Sequence, residues 1–312
     1  MKTEIILVEP MMSAIEAALD EAYTVHRLAQ APDCAALLAE VGPRVRAIVT
    51  GGGTGASREL VEALPNLGII GINGVGTDAV DLEHARSRNV RVTNTPDVLT
   101  EDVADLAIGL MIATSRMLAM GDRFVRAGRW GKDKMPLARK ISGKRLGIFG
   151  LGRIGRAIAE RAQGFGMEIS YHNRRPVEGA PWSYVGSLEE LARGCDILIV
   201  STTGGAGTRN MVGRAVLDAL GPDGILVNVA RGTVVDEPEL VAALTEGRIG
   251  GAGLDVFADE PKVPEALFAL DNVVLQPHVA SATVETRMDM GNLVLANLKA
   301  FFAGEPLPTA VV

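Results

Sequence analysis

The chain has 312 residues, 47% of them hydrophobic and 22% charged, a balance that suits a globular protein and excludes long disorder. At about 100–200 residues per domain, this length suggests two domains, each large enough to fold without a disulfide or a metal. A net charge of −7 argues against a general nucleic-acid or acidic-membrane binder, and two distant cysteines, Cys34 and Cys195, fit neither a disulfide framework nor a zinc site. Short runs of Val, Ile and Leu alternate with helical patterns from the start. Strands are expected at 5–8, 23–28, 45–50, 67–70 and 90–93, with helices at 12–21, 33–40, 57–64 and 82–88. The first run is too short for a signal-peptide core, and Glu9 and Pro10 stop it.

Pro96 breaks the alternation. A long helix is then expected from Thr100 to about Gly128, apolar on more than one face and so buried from two sides. Its longest uncharged stretch, between Asp105 and Arg116, is about half a membrane span. A second series follows, with strands at 146–149, 168–171, 197–200, 225–229, 253–256 and 273–275 and a last helix at 284–302. Ser187 and Glu190 have capping-box spacing, and Asp236 and Glu239 bracket Pro238 in the same way. Such βα alternation implies parallel sheets with helices on their faces. The expected location is the cytoplasm, a reducing compartment.

Gly150-Leu151-Gly152-Arg153-Ile154-Gly155 directly follows an apolar strand and opens a helix. In that context GxGxxG reads as a dinucleotide site: Gly150 for the tight turn, Gly152 for approach of the pyrophosphate, Gly155 for close helix packing. The helix N-terminus then faces the phosphates. The next strand ends in His172-Asn173-Arg174-Arg175, where an NAD site usually carries an acid. Asn173 cannot repel a 2′-phosphate, and Arg174 and Arg175 can bind one, so NADPH is expected to be preferred and NADH weaker.

Arg231, Glu260 and His278 each follow a later strand, near the carboxyl ends where ligands bind in an open α/β sheet. Reduction of a 2-keto acid needs such a set. The arginine would hold the substrate carboxylate, the histidine would protonate the carbonyl oxygen, and the carboxylate would favour the protonated histidine and fix its tautomer. Chemistry alone leaves this as one constellation among several, because the chain has many arginines and carboxylates.

The runs Gly150–Gly155, Asn228-Val229-Ala230-Arg231-Gly232, Gly253-Leu254-Asp255-Val256-Phe257 with Glu260-Pro261, and Pro277-His278 resemble the signature blocks of the D-isomer-specific 2-hydroxyacid dehydrogenases. The resemblance extends over essentially the whole chain, including 92–96 and 100–105, and looks closest to the NADPH-linked glyoxylate/hydroxypyruvate and hydroxyphenylpyruvate reductases. It implies that Arg231 orients the substrate, Glu260 is the partner acid and His278 the general acid/base. It also implies cofactor contacts from Thr100, residues 150–155, Asn173, Arg174, Arg175, Thr208, Val229, Ala230 and Asp255. Substrate contacts are implied at Gly52 and Gly53, which leave space, and at the amides of Val75 and Gly76. One departure is the run 201–208, where glycines replace the family's Pro-Leu-Thr. Thr208 keeps its place, but no contact carries over to Gly204 or Gly205.

The fold so implied is α/β, with two doubly wound parallel-sheet domains. A Rossmann dinucleotide domain at 98–283 is inserted into a flavodoxin-like substrate domain formed by 1–97 and 284–312, and the two crossings form a hinge that closes on substrate. The expected partners are a small 2-keto acid and a second copy of the chain, with no nucleic acid, membrane or metal. His26 and His84 read as structural or surface residues, and His172 borders the adenine-ribose site. Trp130 and Met135 could reach a cleft, or could equally be surface or core residues. A different 2-hydroxy acid, such as a phenylpyruvate or phosphoglycerate type, and a dinucleotide-sensing corepressor-like protein both remain open alternatives.

Overall fold

Side chains along the first strands divide between two cores. In β1 (Glu4–Leu7), Ile5 and Leu7 enter one core and Ile6 another; in β3 (Val45–Gly51), Ala47 and Val49 join the first, and Val45 and Ile48 the second. A sheet buried on both faces needs apolar side chains in near-continuous runs, and these strands supply them at Ile5–Leu7 and Ala47–Val49. The structure, a computed structural model, describes residues 2–312. The chain divides into two compact units: the residues up to Leu99 together with Ser281–Val312, and Thr100–Ala280. The breaks at 99/100 and 280/281 compare with the 97/98 and 283/284 expected from sequence.

The first unit holds a five-stranded sheet. Besides β1 and β3 it contains β2 (Thr24–Arg27), β4 (Ile69–Asn73) and β5 (Arg91–Thr93), in the order β2-β1-β3-β4-β5 with every pair parallel. This is the flavodoxin-like order. Helices α1 (Ser13–Ala22), α2 (Cys34–Val41), α3 (Arg58–Glu62) and α4 (Leu82–Ser87) connect the strands. Asp33, Ser57 and Asp81 cap three of these helices by accepting a backbone N–H three residues on.

The second unit begins with α5 (Thr100–Ser115) and α6 (Leu118–Arg126). Its strands are β6 (Arg145–Phe149), β7 (Glu168–His172), β8 (Ser183–Tyr184), β9 (Ile197–Val200), β10 (Ile225–Asn228), β11 (Gly251–Leu254) and β12 (Val273–Leu275). Their order is β12-β11-β10-β9-β6-β7-β8, all parallel: the doubly wound dinucleotide-binding arrangement with one further strand. The helices between them are α7 (Arg153–Gln163), α8 (Leu188–Gly194), α9 (Arg214–Leu220) and α10 (Glu237–Thr245). Ser187 caps α8 and Asp236 caps α10, as their spacing predicts. Helix α11 (Val284–Ala303) returns to the first unit and packs on β4 and α1.

The single helix expected over 100–128 is broken. Met117 takes the left-handed conformation at φ 55°, and α5 and α6 meet at 59°. No proline or glycine marks the break. Its cause is tertiary: the Ser115 carbonyl accepts the N–H of Arg139 from the returning chain, 2.9 Å away, instead of a helical partner. The apolar faces of α5 are covered within its own unit by β10, β11, β12 and α7. Helix α6 buries Phe124 and leaves Leu118 and Val125 exposed. Among the described residues no single helix is long and apolar enough to cross a membrane. Strand β8 is two residues long and carries no apolar run, which is why the sequence pattern does not reveal it.

Candidate active site

Three strand ends of the second unit lie side by side. Asn228 of β10 is in register with Leu254 of β11, and Leu254 with Leu275 of β12. Residues leaving these ends therefore share one edge of the sheet, and Arg231, Glu260 and His278 all leave there.

His278 Nδ1 lies 2.7 Å from Glu260 Oε2, with each side chain about one-third exposed. The other carboxylate oxygen of Glu260 accepts the Phe257 N–H at 3.0 Å. Burial pushes the Glu260 carboxyl up, but the bonds from His278 and Phe257, with the charges of His278 and Arg231, outweigh it and hold the group below its ordinary value. A carboxylate at Nδ1 favours a proton there, so Nε2 is the ring nitrogen available to a reacting atom.

Asp255 supports this arrangement from beneath. It has no exposed surface, and its two carboxylate oxygens accept the N–H groups of Val279 and Ala280 at 2.8 and 3.1 Å. Its backbone carbonyl accepts the His278 N–H at 2.8 Å. These bonds hold His278 in the left-handed region at φ 54°, which histidine enters more readily than most residues. Burial raises the Asp255 carboxyl above its ordinary value even though both amides favour the charged form. Asp259 pairs with Lys262 instead, so Glu260 is the carboxylate on His278.

Arg231 is held through its backbone. Asn228, 1% exposed, accepts the Ala230 N–H at 3.0 Å and donates its amide to the Arg231 carbonyl at 3.1 Å. Arg231 Nη1 donates to the Ala230 carbonyl at 2.8 Å. A Cβ on Gly232 would overlap the Phe257 carbonyl, so only glycine lets the Arg231 turn lie against the loop that carries Glu260. Val229 and Ala230 are buried beside that turn.

The 150–155 run fits a dinucleotide. Gly150 sits at φ 104°, where a side chain would be strained. A Cβ on Gly155 would overlap the Gly150 carbonyl, whereas one on Gly152 would meet nothing within 4 Å. The open space therefore lies where a pyrophosphate has to approach. Helix α7 begins at Arg153 with no side-chain cap, which leaves its first N–H groups available to an anion. Asn173 Oδ1 accepts the Leu151 N–H at 2.7 Å and ties the end of β7 to this turn. Arg174 and Arg175 are exposed and make no hydrogen bond or ion pair among the described residues. His172 bonds the Val185 carbonyl at 2.8 Å and stacks on Tyr184. Thr208 donates to the Thr203 carbonyl at 2.7 Å and so staples the glycine-rich 203–208 loop. Thr100 is the first residue of α5. Burial pushes the Cys195 thiol up to about 12, so it offers no thiolate near neutral pH.

In the first unit, the loops at 51–55 and 74–77 lie against each other: a Cβ on Gly74 would stand 3.1 Å from Gly52 Cα. Asn94 donates its amide to the Val75 carbonyl at 2.8 Å, and the Gly74 carbonyl accepts the Thr95 N–H. Gly52, Gly53, Val75 and Gly76 thus belong to one patch at the carboxyl edge of the five-stranded sheet. Sequence reasoning gave no role to Asn94, Asn228 or Glu9, whose carboxylate lies on Gly51. Each is a polar residue at, or within two residues of, the carboxyl end of a buried strand, and that position was the available signal.

A family model for the D-isomer specific 2-hydroxyacid dehydrogenase NAD binding domain matches residues 108–280. The chain is 50% identical over 308 residues to a hydroxyphenylpyruvate reductase of Plectranthus scutellarioides, covering 99% of this chain and 98% of that protein. It is 46% identical over 311 residues to a 2-ketogluconate reductase of Gluconobacter oxydans, covering 100% and 99%. Among solved structures, an NADPH-dependent glyoxylate/hydroxypyruvate reductase of Sinorhizobium meliloti, in complex with NADP and malonate, superposes with a TM-score of 0.93 at 44% identity. That match covers 100% of this chain and 97% of the other. The chain is therefore an oxidoreductase that binds a nicotinamide dinucleotide, and it belongs to the D-isomer-specific 2-hydroxyacid dehydrogenase family.

Proposed function

We propose that the protein reduces a small 2-keto acid of the glyoxylate or hydroxypyruvate type to the D-2-hydroxy acid, with NADPH as the preferred reductant. The observation that carries this reading is the 2.7 Å bond between His278 and Glu260 on the strand edge that also carries Arg231. When bound, the reduced nicotinamide supplies a hydride to the carbonyl carbon. Arg231 holds the substrate carboxylate and so fixes which face of the carbonyl is presented. His278 donates its Nε2 proton to the carbonyl oxygen as the C=O π pair moves there. Glu260 keeps Nδ1–H in place and so directs Nε2 at the substrate. The 150–155 turn and the start of α7 hold the pyrophosphate, and the patch of Gly52, Gly53, Val75 and Gly76 serves the substrate. NADPH oxidation should be followed with glyoxylate, hydroxypyruvate, hydroxyphenylpyruvate and 2-ketogluconate. Turnover of the first two is expected to be most efficient, and no turnover of any would overturn the reading.

Cofactor choice rests on Arg174 and Arg175, exposed and unpaired among the described residues, beside an uncharged Asn173. Charged hydrogen bonds to a 2′-phosphate should favour NADPH by about 1–3 kcal/mol, roughly tenfold to a hundredfold in affinity. Asn173→Asp can keep the bond to Leu151 while adding a repelling charge, and should shift preference toward NADH. Equal or better efficiency of the parent with NADH would contradict this assignment.

A homodimer built on the second unit is the proposed assembly. The support is not α5, whose apolar faces are covered, but the segment after it. Leu118, Val125, Trp130 and Leu137 are exposed there, Leu137 at 98%. Such apolar exposure within 20 residues of chain marks an association surface. Light scattering at micromolar concentration should give twice the chain mass, and Trp130→Glu with Leu137→Glu should halve it. A monomeric parent would count against the dimer.

A further inference from the structure

Glu9 stands two residues beyond β1, at the carboxyl edge of the five-stranded sheet. Its carboxylate occupies the space that a Cβ on Gly51 would need, and it accepts a hydrogen bond from the Thr54 hydroxyl. Glu9 therefore packs directly on the 51–55 loop, which in turn lies on the 74–77 loop. Neither Gly51–Ser57 nor Gly74–Thr77 carries a charged side chain. Nor does an ion pair neutralise Glu9 among the described residues. Arg27 lines the same small cavity as Glu9, but its guanidinium bonds to Glu16 and Asp20. Glu9 is thus the carboxylate packed on the 51–55 loop, while Asp78, an exposed acid, follows the 74–77 loop.

We propose that Glu9 is a specificity-determining residue: it accepts 2-keto acids whose far end is neutral or hydroxylated and turns away those with a second anionic group. This rests on the reading that Gly52, Gly53, Val75 and Gly76 hold the keto acid. Backbone amides that take the first carboxylate give no selection against a second one, because both are anions of the same kind. A fixed carboxylate beside them does. It repels a distal carboxylate or phosphate and can accept a hydrogen bond from a distal hydroxyl. Like charges separated by partly hydrated surroundings would discriminate by roughly threefold to thirtyfold.

The test compares kcat/KM for oxaloacetate and 2-ketoglutarate with that for glyoxylate, in the parent, Glu9→Gln and Thr54→Val. Glu9→Gln keeps an acceptor for Thr54 but removes the charge, so the dicarboxylate-to-glyoxylate ratio should rise roughly threefold to thirtyfold. Thr54→Val removes the bond and keeps the charge, and should retain the parent's discrimination. Added salt should raise the ratio in the parent, because screening weakens the repulsion. A ratio unchanged or lowered in Glu9→Gln, with glyoxylate still reduced, overturns the role of Glu9. If that variant turns over nothing, the parent's salt response decides, and a ratio that does not rise overturns the proposal. A parent that reduces none of these acids overturns instead the keto-acid reading beneath it.

Discussion

His278→Ala should lower kcat for keto-acid reduction by about 10²–10⁴-fold, the usual worth of a positioned general acid, and leave NADPH affinity close to that of the parent. Hydride arrival places charge on the carbonyl oxygen, and without His278 only water can supply the proton. Cofactor affinity should persist because the 150–155 turn and the start of α7 stand on β6, away from the β12 end. Glu260→Gln separates the roles within the pair. Glu260 holds His278 Nδ1 at 2.7 Å and so leaves Nε2 to face the substrate. Removing the charge should lower kcat at neutral pH, with the smallest defect at acidic pH, where the parent's own Glu260 takes up a proton. In the parent, Glu260 is held below its ordinary value, so the pair should persist into mildly acidic solution and be lost as pH falls through that lowered value. A kcat equal to the parent's at neutral pH in Glu260→Gln would remove Glu260 as the partner of His278.

Much of this arrangement was legible before any coordinates, for identifiable reasons. A buried parallel strand is a short run of Val, Ile and Leu, so β1, β3, β6, β9 and β10 announce themselves, and Gly150–Gly155 fixes what the turn after β6 can bind. The break at Met117 was not legible, because its cause is the bond between Ser115 and Arg139, 24 positions apart. Spacing alone does not choose between Asp255, Asp259 and Glu260 as the acid beside His278; it is the family resemblance that implies Glu260. The choice depends on which carboxylates the amides of Val279 and Ala280, and Lys262, already occupy. Asn94 acts through the Val75 carbonyl, 19 positions away, which leaves no spacing signal, whereas Asn228 bonds Ala230 and Arg231 within its own turn.

Arg231→Ala should act on both kinetic constants, unlike the loss of His278. Truncating a hydrogen-bonded charge that holds a partner ion costs about 2–5 kcal/mol, so kcat/KM should fall roughly thirtyfold to several thousandfold. Part of this should appear as a raised KM, because the carboxylate loses its cation. Part should appear in kcat, because a substrate held less firmly presents its carbonyl poorly to His278. Arg231→Lys should recover charge but not the planar fork, and so restore KM more than kcat. Thermal stability should fall only modestly in either variant: the Nη1 bond to the Ala230 carbonyl is lost, but the bonds of Asn228 to the turn's backbone survive. The kinetics should be measured with glyoxylate at saturating NADPH, alongside a thermal melt. A KM for glyoxylate unchanged in Arg231→Ala, with a melt like the parent's, would mean that the substrate carboxylate is held elsewhere. The backbone amides of Val75 and Gly76 would then be left as its principal ligands.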